Sequence, residues 1–213
     1  MTDEQGYSNF RYCTFKKQRG TNVMKTITLS WLRRQGACGE AFSRFREVFG
    51  NEASVREVIV ALHEEGKDTW EAWLLVRDRK LTRSMIENGA NVHATDDYAI
   101  HNATVKTDNI RIVELLVDAG ADVHSADDYA IRYAAYYGHR KIVEFLIKKG
   151  ANVHAGNDFA LRFAAHNGYI RIVKLLVDAG ADISANDYEA IRWADNFGDR
   201  EMARFLRTAA SAS

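Results

Sequence analysis

A chain of 213 residues, 46% of them hydrophobic, can bury a core, and its formal net charge of zero excludes a global field that would draw nucleic acid or a membrane surface. Two cysteines, Cys13 and Cys38, are too few for a disulfide framework and lack metal-ligand spacing, so they read as reduced thiols of a cytoplasmic protein, with Cys38 packed. No stretch approaches membrane-spanning length, and the opening MTDEQGYSNFRYC lacks the apolar run of a signal peptide.

Charge is nevertheless unevenly spread. Residues 11–46 hold nine Lys or Arg against the single Glu40, so a basic head precedes a mildly acidic body. Residues 1–23 are polar and aperiodic apart from FRYCTF and read as a flexible basic leader. A helical module follows over 24–66. There Ala41, Phe42, Phe45 and Phe49 recur at helical spacing, as do Val55, Val58, Ile59 and Leu62. In DTWEAWLLVRDRKLTRSMIENGANVHA, Trp70, Trp73, Leu74 and Leu75 predict one helix. Leu81, Met85 and Ile86 predict a second that ends at Gly89.

From Gly89 onward the chain repeats itself. GANVHATDDYAI, GADVHSADDYAI, GANVHAGNDFAL and GADISANDYEAI begin at Gly89, Gly120, Gly150 and Gly180, and each continues into a similar apolar-periodic run. Each unit predicts helix, turn, helix, loop. In the second, Asp128 is placed to cap the first helix, and Ile131, Ala134 and Ala135 form its packed face. Gly138 permits the turn. Ile142, Val143, Phe145 and Leu146 line the second helix, which ends at Gly150. Neither helix buries its apolar face alone, whereas stacked copies can.

The runs GHRKIVEFLIKKGANVHA and GYIRIVKLLVDAGADISA resemble the second helix and loop of ankyrin repeats, and the resemblance covers about residues 67–208. Ankyrin units usually run to about 33 residues with a Thr-Pro-Leu-His opening. Here that tetrad is replaced by sequences such as Tyr129-Ala130-Ile131-Arg132, and the missing residues fall where a protruding hairpin would be. The shortened units are similar to those of giant viruses, bacteria and phages, and the resemblance implies blunt tips. The expected architecture is all-α: an ankyrin-like helical repeat solenoid with short loops and an N-terminal helical capping module. The array spans 67–208, with a degenerate cap at 67–88 and repeats at 89–119, 120–149, 150–179 and 180–208; a frayed tail covers 209–213.

Three columns of the array read as structural. His93, His124 and His154, with Ser184 in the fourth unit, lie on stacked units about 8–10 Å apart. They cannot converge within the ~2 Å that zinc requires, so they read as loop hydrogen-bonding groups and no metal is expected. Arg132, Arg162 and Arg192 beside Asp97, Asp128, Asp158 and Asp187 read as a ladder of helix caps and Arg–Asp or Arg–loop bonds. Tyr133, Phe163 and Trp193 read as core.

The pairs before the turn glycines vary while the frame stays fixed: Tyr136 and Tyr137, His166 and Asn167, Asn196 and Phe197. The resemblance implies that they lie on the concave side. With Asp97, Asp128 and Asp158 they form the candidate surface for a protein partner, since such residue types make contact hot spots. No phosphate loop, catalytic Cys–His motif or zinc-protease signature is present, so the chain reads as a non-catalytic scaffold. It takes no cofactor and no small-molecule substrate, and binding would inhibit or redirect its partner. The alternative is nucleic-acid association through Lys16, Lys17, Arg19, Arg33, Arg34, Arg44 and Arg46, driven by counterion release.

Overall fold

The computed structural model describes residues 24–106 and 108–211; Cys13, Lys16, Lys17, Arg19 and the rest of the leader lie outside the described residues. The chain divides into two compact units, the boundary falling between Asn91 and Val92. No helix among the described residues is long and apolar enough to cross a membrane.

The first unit joins two short strands to five helices: β1 (Thr26–Thr28), α1 (Leu29–Arg34), α2 (Gly39–Phe49), β2 (Glu52–Ser54), α3 (Val55–Glu64), α4 (Asp68–Leu75) and α5 (Arg79–Glu87). The strands add a detail absent from the helical reading of residues 24–66. They pair antiparallel with Ile27 opposite Ala53, and these two central side chains are buried while Thr26 and Glu52 are exposed. Ser54 then ends β2 and starts α3 at once. Its hydroxyl accepts the Glu57 amide hydrogen and the Glu57 carboxylate accepts that of Ser54, so two of the helix's free donors are satisfied reciprocally.

Val55, Val58, Ile59 and Leu62 all point into the core, as their spacing predicts, and α3 packs on both α4 and α5. On α2 only Phe45 is fully buried, and Ala41, Phe42 and Phe49 are half-buried. Cys38 is half-buried too; its sulfur caps α2 by accepting the Ala41 amide hydrogen at 3.4 Å.

The second unit repeats one helix pair four times: α6 (Ala94–Lys106) with α7 (Ile110–Asp118), α8 (Ser125–Tyr136) with α9 (Arg140–Lys148), α10 (Ala155–His166) with α11 (Ile170–Asp178), and α12 (Ala185–Asn196) with α13 (Arg200–Ala210). The last helix therefore continues to Ala210, inside the segment read as a frayed tail. Ile131, Ala134 and Ala135 of α8 and Ile142, Val143 and Leu146 of α9 form a buried apolar core, and the same positions recur in the third pair.

Alanines at the contact positions let successive first helices pack directly on one another, while the second helices touch sparingly. The first helices therefore form the closely packed, inner layer of the unit. Gly138 sits at φ +81°, and a β-carbon there would come within 2.7 Å of the Tyr169 ring, so the turn requires glycine for both conformation and room.

Candidate functional site

The loop that enters each first helix differs from the capped start that the sequence suggests. Three consecutive residues adopt left-handed helical angles: Thr95–Asp97, Ala126–Asp128, Gly156–Asp158 and Asn186–Tyr188. For residues with a side chain this costs about 1–2 kcal/mol each, so the turn persists only where other bonds hold it. Arginine supplies them. Arg132 donates to the Asp127 and Ala126 carbonyls at 2.8 Å, and Arg162 donates to those of Asn157 and Gly156. Arg192 does the same to Asp187 and Asn186. The arginine column thus clamps carbonyl oxygens of the turn and leaves the Asp97/Asp128/Asp158 carboxylates to other partners. In the first repeat buried His101 takes the arginine's place, and the Ser125 hydroxyl donates to the Asp96 carbonyl instead.

The aspartates tie each repeat to the next. Asp97 accepts the Asp122 amide hydrogen, Asp128 that of Asn152 and Asp158 that of Asp182, at 2.9, 2.7 and 2.7 Å. The same carboxylates take Nδ1 of His93, His124 and His154 at 3.0–3.1 Å. All three aspartates are buried, which removes them from the candidate contact surface. Their register also corrects the sequence alignment. Counted from Gly180, the fourth equivalent is Tyr188 and not Asp187, and Ser184 stands where the histidine would be.

A fourth linkage of the same kind lies in the first unit. There Glu71 on α4, with no exposed surface, accepts the Asn91 amide hydrogen at 2.9 Å and meets His63 Nε2 at 2.9 Å. Loss of solvation raises the Glu71 pKa above the ordinary carboxylate range. A raised folded pKa means that folding favours the protonated acid. Stability should therefore fall as pH rises from the ordinary glutamate value through the folded one. In denaturant titrations across that window, Glu71→Gln is expected to gain stability relative to the parent as pH increases. A difference independent of pH would contradict the assignment.

Where the carboxylates withdraw, aromatic rings fill the inner face of the second unit. Tyr129 stacks on Tyr133 with centroids 4.0 Å apart, and Phe159 on Phe163 at 4.1 Å, each pair one helical turn apart. Tyr133 reaches Phe159 at 5.6 Å and Tyr136 reaches Phe163 at 5.6 Å, so the rings cross from one repeat to the next. His166 continues the series edge-on to Trp193 at 4.4 Å and to Phe197 at 5.3 Å. The result is a ribbon across the last three repeats, begun in the first by His101, 4.7 Å from Tyr129.

Tyr133, Phe163 and Trp193 are half-exposed members of this ribbon and not core, because the alanine side of each helix supplies the packing. Tyr136 and His166 are half-buried in it. Tyr137 and Phe197 project furthest, at 43% and 61% exposure, and Asn167 and Asn196 are exposed beside them. Burial among neighbouring tyrosines pushes the Tyr129 hydroxyl up to about 12, so it stays a hydrogen-bond donor. Tyr129 and Phe159 are the members the sequence reading passed over; their signal was an aromatic at i and i+4 on one helix.

The alternative basic patch is less coherent. Arg44 is engaged by Glu47 and Glu65, and the Arg33 guanidinium lies over the Phe42 ring at 5.0 Å. Arg34 and Arg46 are exposed, and Lys16, Lys17 and Arg19 lie outside the described residues.

Stacked helix pairs, fixed loops and an open inner face define a helical-repeat protein. Residues 72–157 match the family described as ankyrin repeats (3 copies), and residues 157–188 match the ankyrin repeat. The chain carries ankyrin repeats, and its fold is a helical repeat solenoid; repeats of this family generally mediate protein–protein interaction. No individual curated protein matches the chain.

Proposed function

We propose that the chain is a cytoplasmic, non-catalytic scaffold whose second unit holds another protein on its inner helix face and thereby blocks or redirects that partner's complex. A host-modulating role of the viral or phage kind, or an immunity role, would use the same contact. The observation that carries the reading is the continuous aromatic ribbon: large rings, half-exposed among the described residues and already ordered by stacking. Ring side chains held in place before binding lose little further entropy when a partner arrives, so more of the contact energy appears as affinity.

The test is affinity capture from the native host with the intact chain and with Tyr136→Ala/Tyr137→Ala, each with and without nuclease. One protein retained through nuclease and weakened about tenfold or more in the variant is the expected result, as for loss of a hot-spot contact. Capture that ignores the double variant and disappears with nuclease would instead transfer binding to Arg33, Arg34, Arg44, Arg46 and the basic residues before them.

A further inference from the structure

The turn edge beside the ribbon is strongly acidic. Residues 92–101, 120–132, 150–162 and 180–192 together hold nine carboxylates and three guanidiniums, and with Asp97, Asp128 and Asp158 buried, six of the carboxylates remain towards the surface. Arg132, Arg162 and Arg192 all bond turn carbonyls; Arg162 also pairs with the Glu189 carboxylate, and Arg132 lies 3.9 Å from that of Asp127. Asp96, Asp127 and Asp187 occupy equivalent positions in the first, second and fourth repeats, and all are exposed, whereas Asn157 takes that place in the third. Arg132 connects this edge to the rings: it is bonded to the Asp127 carbonyl, and its guanidinium lies within 6.0 Å of the Tyr129, Tyr133 and Phe159 centroids.

Two spacings then coincide. Packed helices stand about 8–10 Å apart, so the equivalent positions Asp96, Asp127, Asn157 and Asp187 recur at roughly that interval, with the acid missing from the third. A polyproline-II segment rises about 3.1 Å per residue with three residues per turn, which returns the same edge every ~9 Å. Aromatic-lined surfaces suit such segments, because the chain is already extended and loses little entropy on docking.

We infer that the inner face of the second unit takes an extended, polyproline-II segment of a partner protein that carries lysine or arginine at every third position. This rests on the protein-binding reading above and specifies the partner's chemistry. The prolyl or other apolar edge lies on the rings, and the basic edge follows Asp96, Asp127 and Asp187.

Fluorescence anisotropy with the full chain tests it, using three labelled peptides. One has four Lys-Pro-Pro triplets, one the same composition with its lysines contiguous, and one has Glu in place of Lys. The triplet peptide is expected to bind about tenfold more tightly than the contiguous one, and the Glu peptide not at all. Tyr137→Ala should weaken the triplet peptide about tenfold, and Asp127→Asn or Asp187→Asn about two- to fivefold each. Equal binding of the two lysine peptides, binding of the Glu peptide, or no binding of the triplet peptide would overturn the inference. If native capture still depends on Tyr136 and Tyr137 while the triplet peptide fails, the occupant's chemistry is wrong and the protein-binding reading stands.

Discussion

Asp128→Ala is expected to destabilise the second unit by about 2–4 kcal/mol. Three effects combine. The Asn152 amide loses a charged acceptor, which is worth about 1.5–3 kcal/mol for a hydrogen bond of that class. His124 loses its carboxylate partner at 3.0 Å. Alanine also tolerates the left-handed angles of position 128, φ 52°, less well than aspartate. Asp128→Asn keeps an acceptor oxygen and a residue type suited to those angles, so its loss should be about 1 kcal/mol or less. Denaturant titration measures the totals, and hydrogen exchange at the Asn152 amide gives a local readout. Equal stabilities for the two variants, or unchanged exchange at Asn152, would show that the carboxylate does not hold the junction.

The second large effect is expected at Arg132. Arg132→Ala removes the donors from both the Ala126 and Asp127 carbonyls while leaving the left-handed residues in place, and a loss of about 2–3 kcal/mol follows. Arg132→Lys is expected to recover less than about half of it, because an ammonium is a single point of donation whereas the turn offers two separated oxygens to a planar fork. The side chain also lies close to the next repeat: a β-carbon on Gly156 would stand 3.2 Å from Arg132 Cδ. Truncation therefore loosens packing between the second and third repeats as well as the turn itself. Full rescue by lysine would mean that charge alone matters and that the fork geometry is incidental.

Much of the scaffold was legible because its period is written directly in the residues. Gly120, Gly150 and Gly180 mark equal intervals, and Ile142, Val143 and Leu146 fall on one helical face, so helix boundaries and the buried stripe follow from spacing. What spacing does not reveal is a backbone sign. Thr95 and Ala126 give no hint of positive φ, and without that turn Asp128 looks like a cap for its own helix. The turn rotates its carboxylate onto the following loop instead.

The ribbon was misassigned for a related reason. A helix with alanine on one side and aromatics on the other has two apolar faces, and periodicity alone does not say which is covered. Alanines 134 and 135 permit the close helix contact, and that leaves Tyr133 on the open side. Glu71 was illegible because its equivalence to the aspartates lies in space and not in register: it sits on a helix of the degenerate unit, eight residues after His63, where the repeats use a spacing of four.

The forward-reaching carboxylate gives the array a direction. Each of the first three repeats supplies a carboxylate acceptor for its successor's loop, whereas the fourth carries Tyr188 and Ser184 in the equivalent places. A duplication of residues 150–179 would accordingly insert a module that both receives and provides the junction bond, leaving every joint complete. A duplication of residues 180–208 would leave the next loop's amide without that carboxylate. Copying a middle repeat thus preserves the junction chemistry, whereas copying the fourth does not.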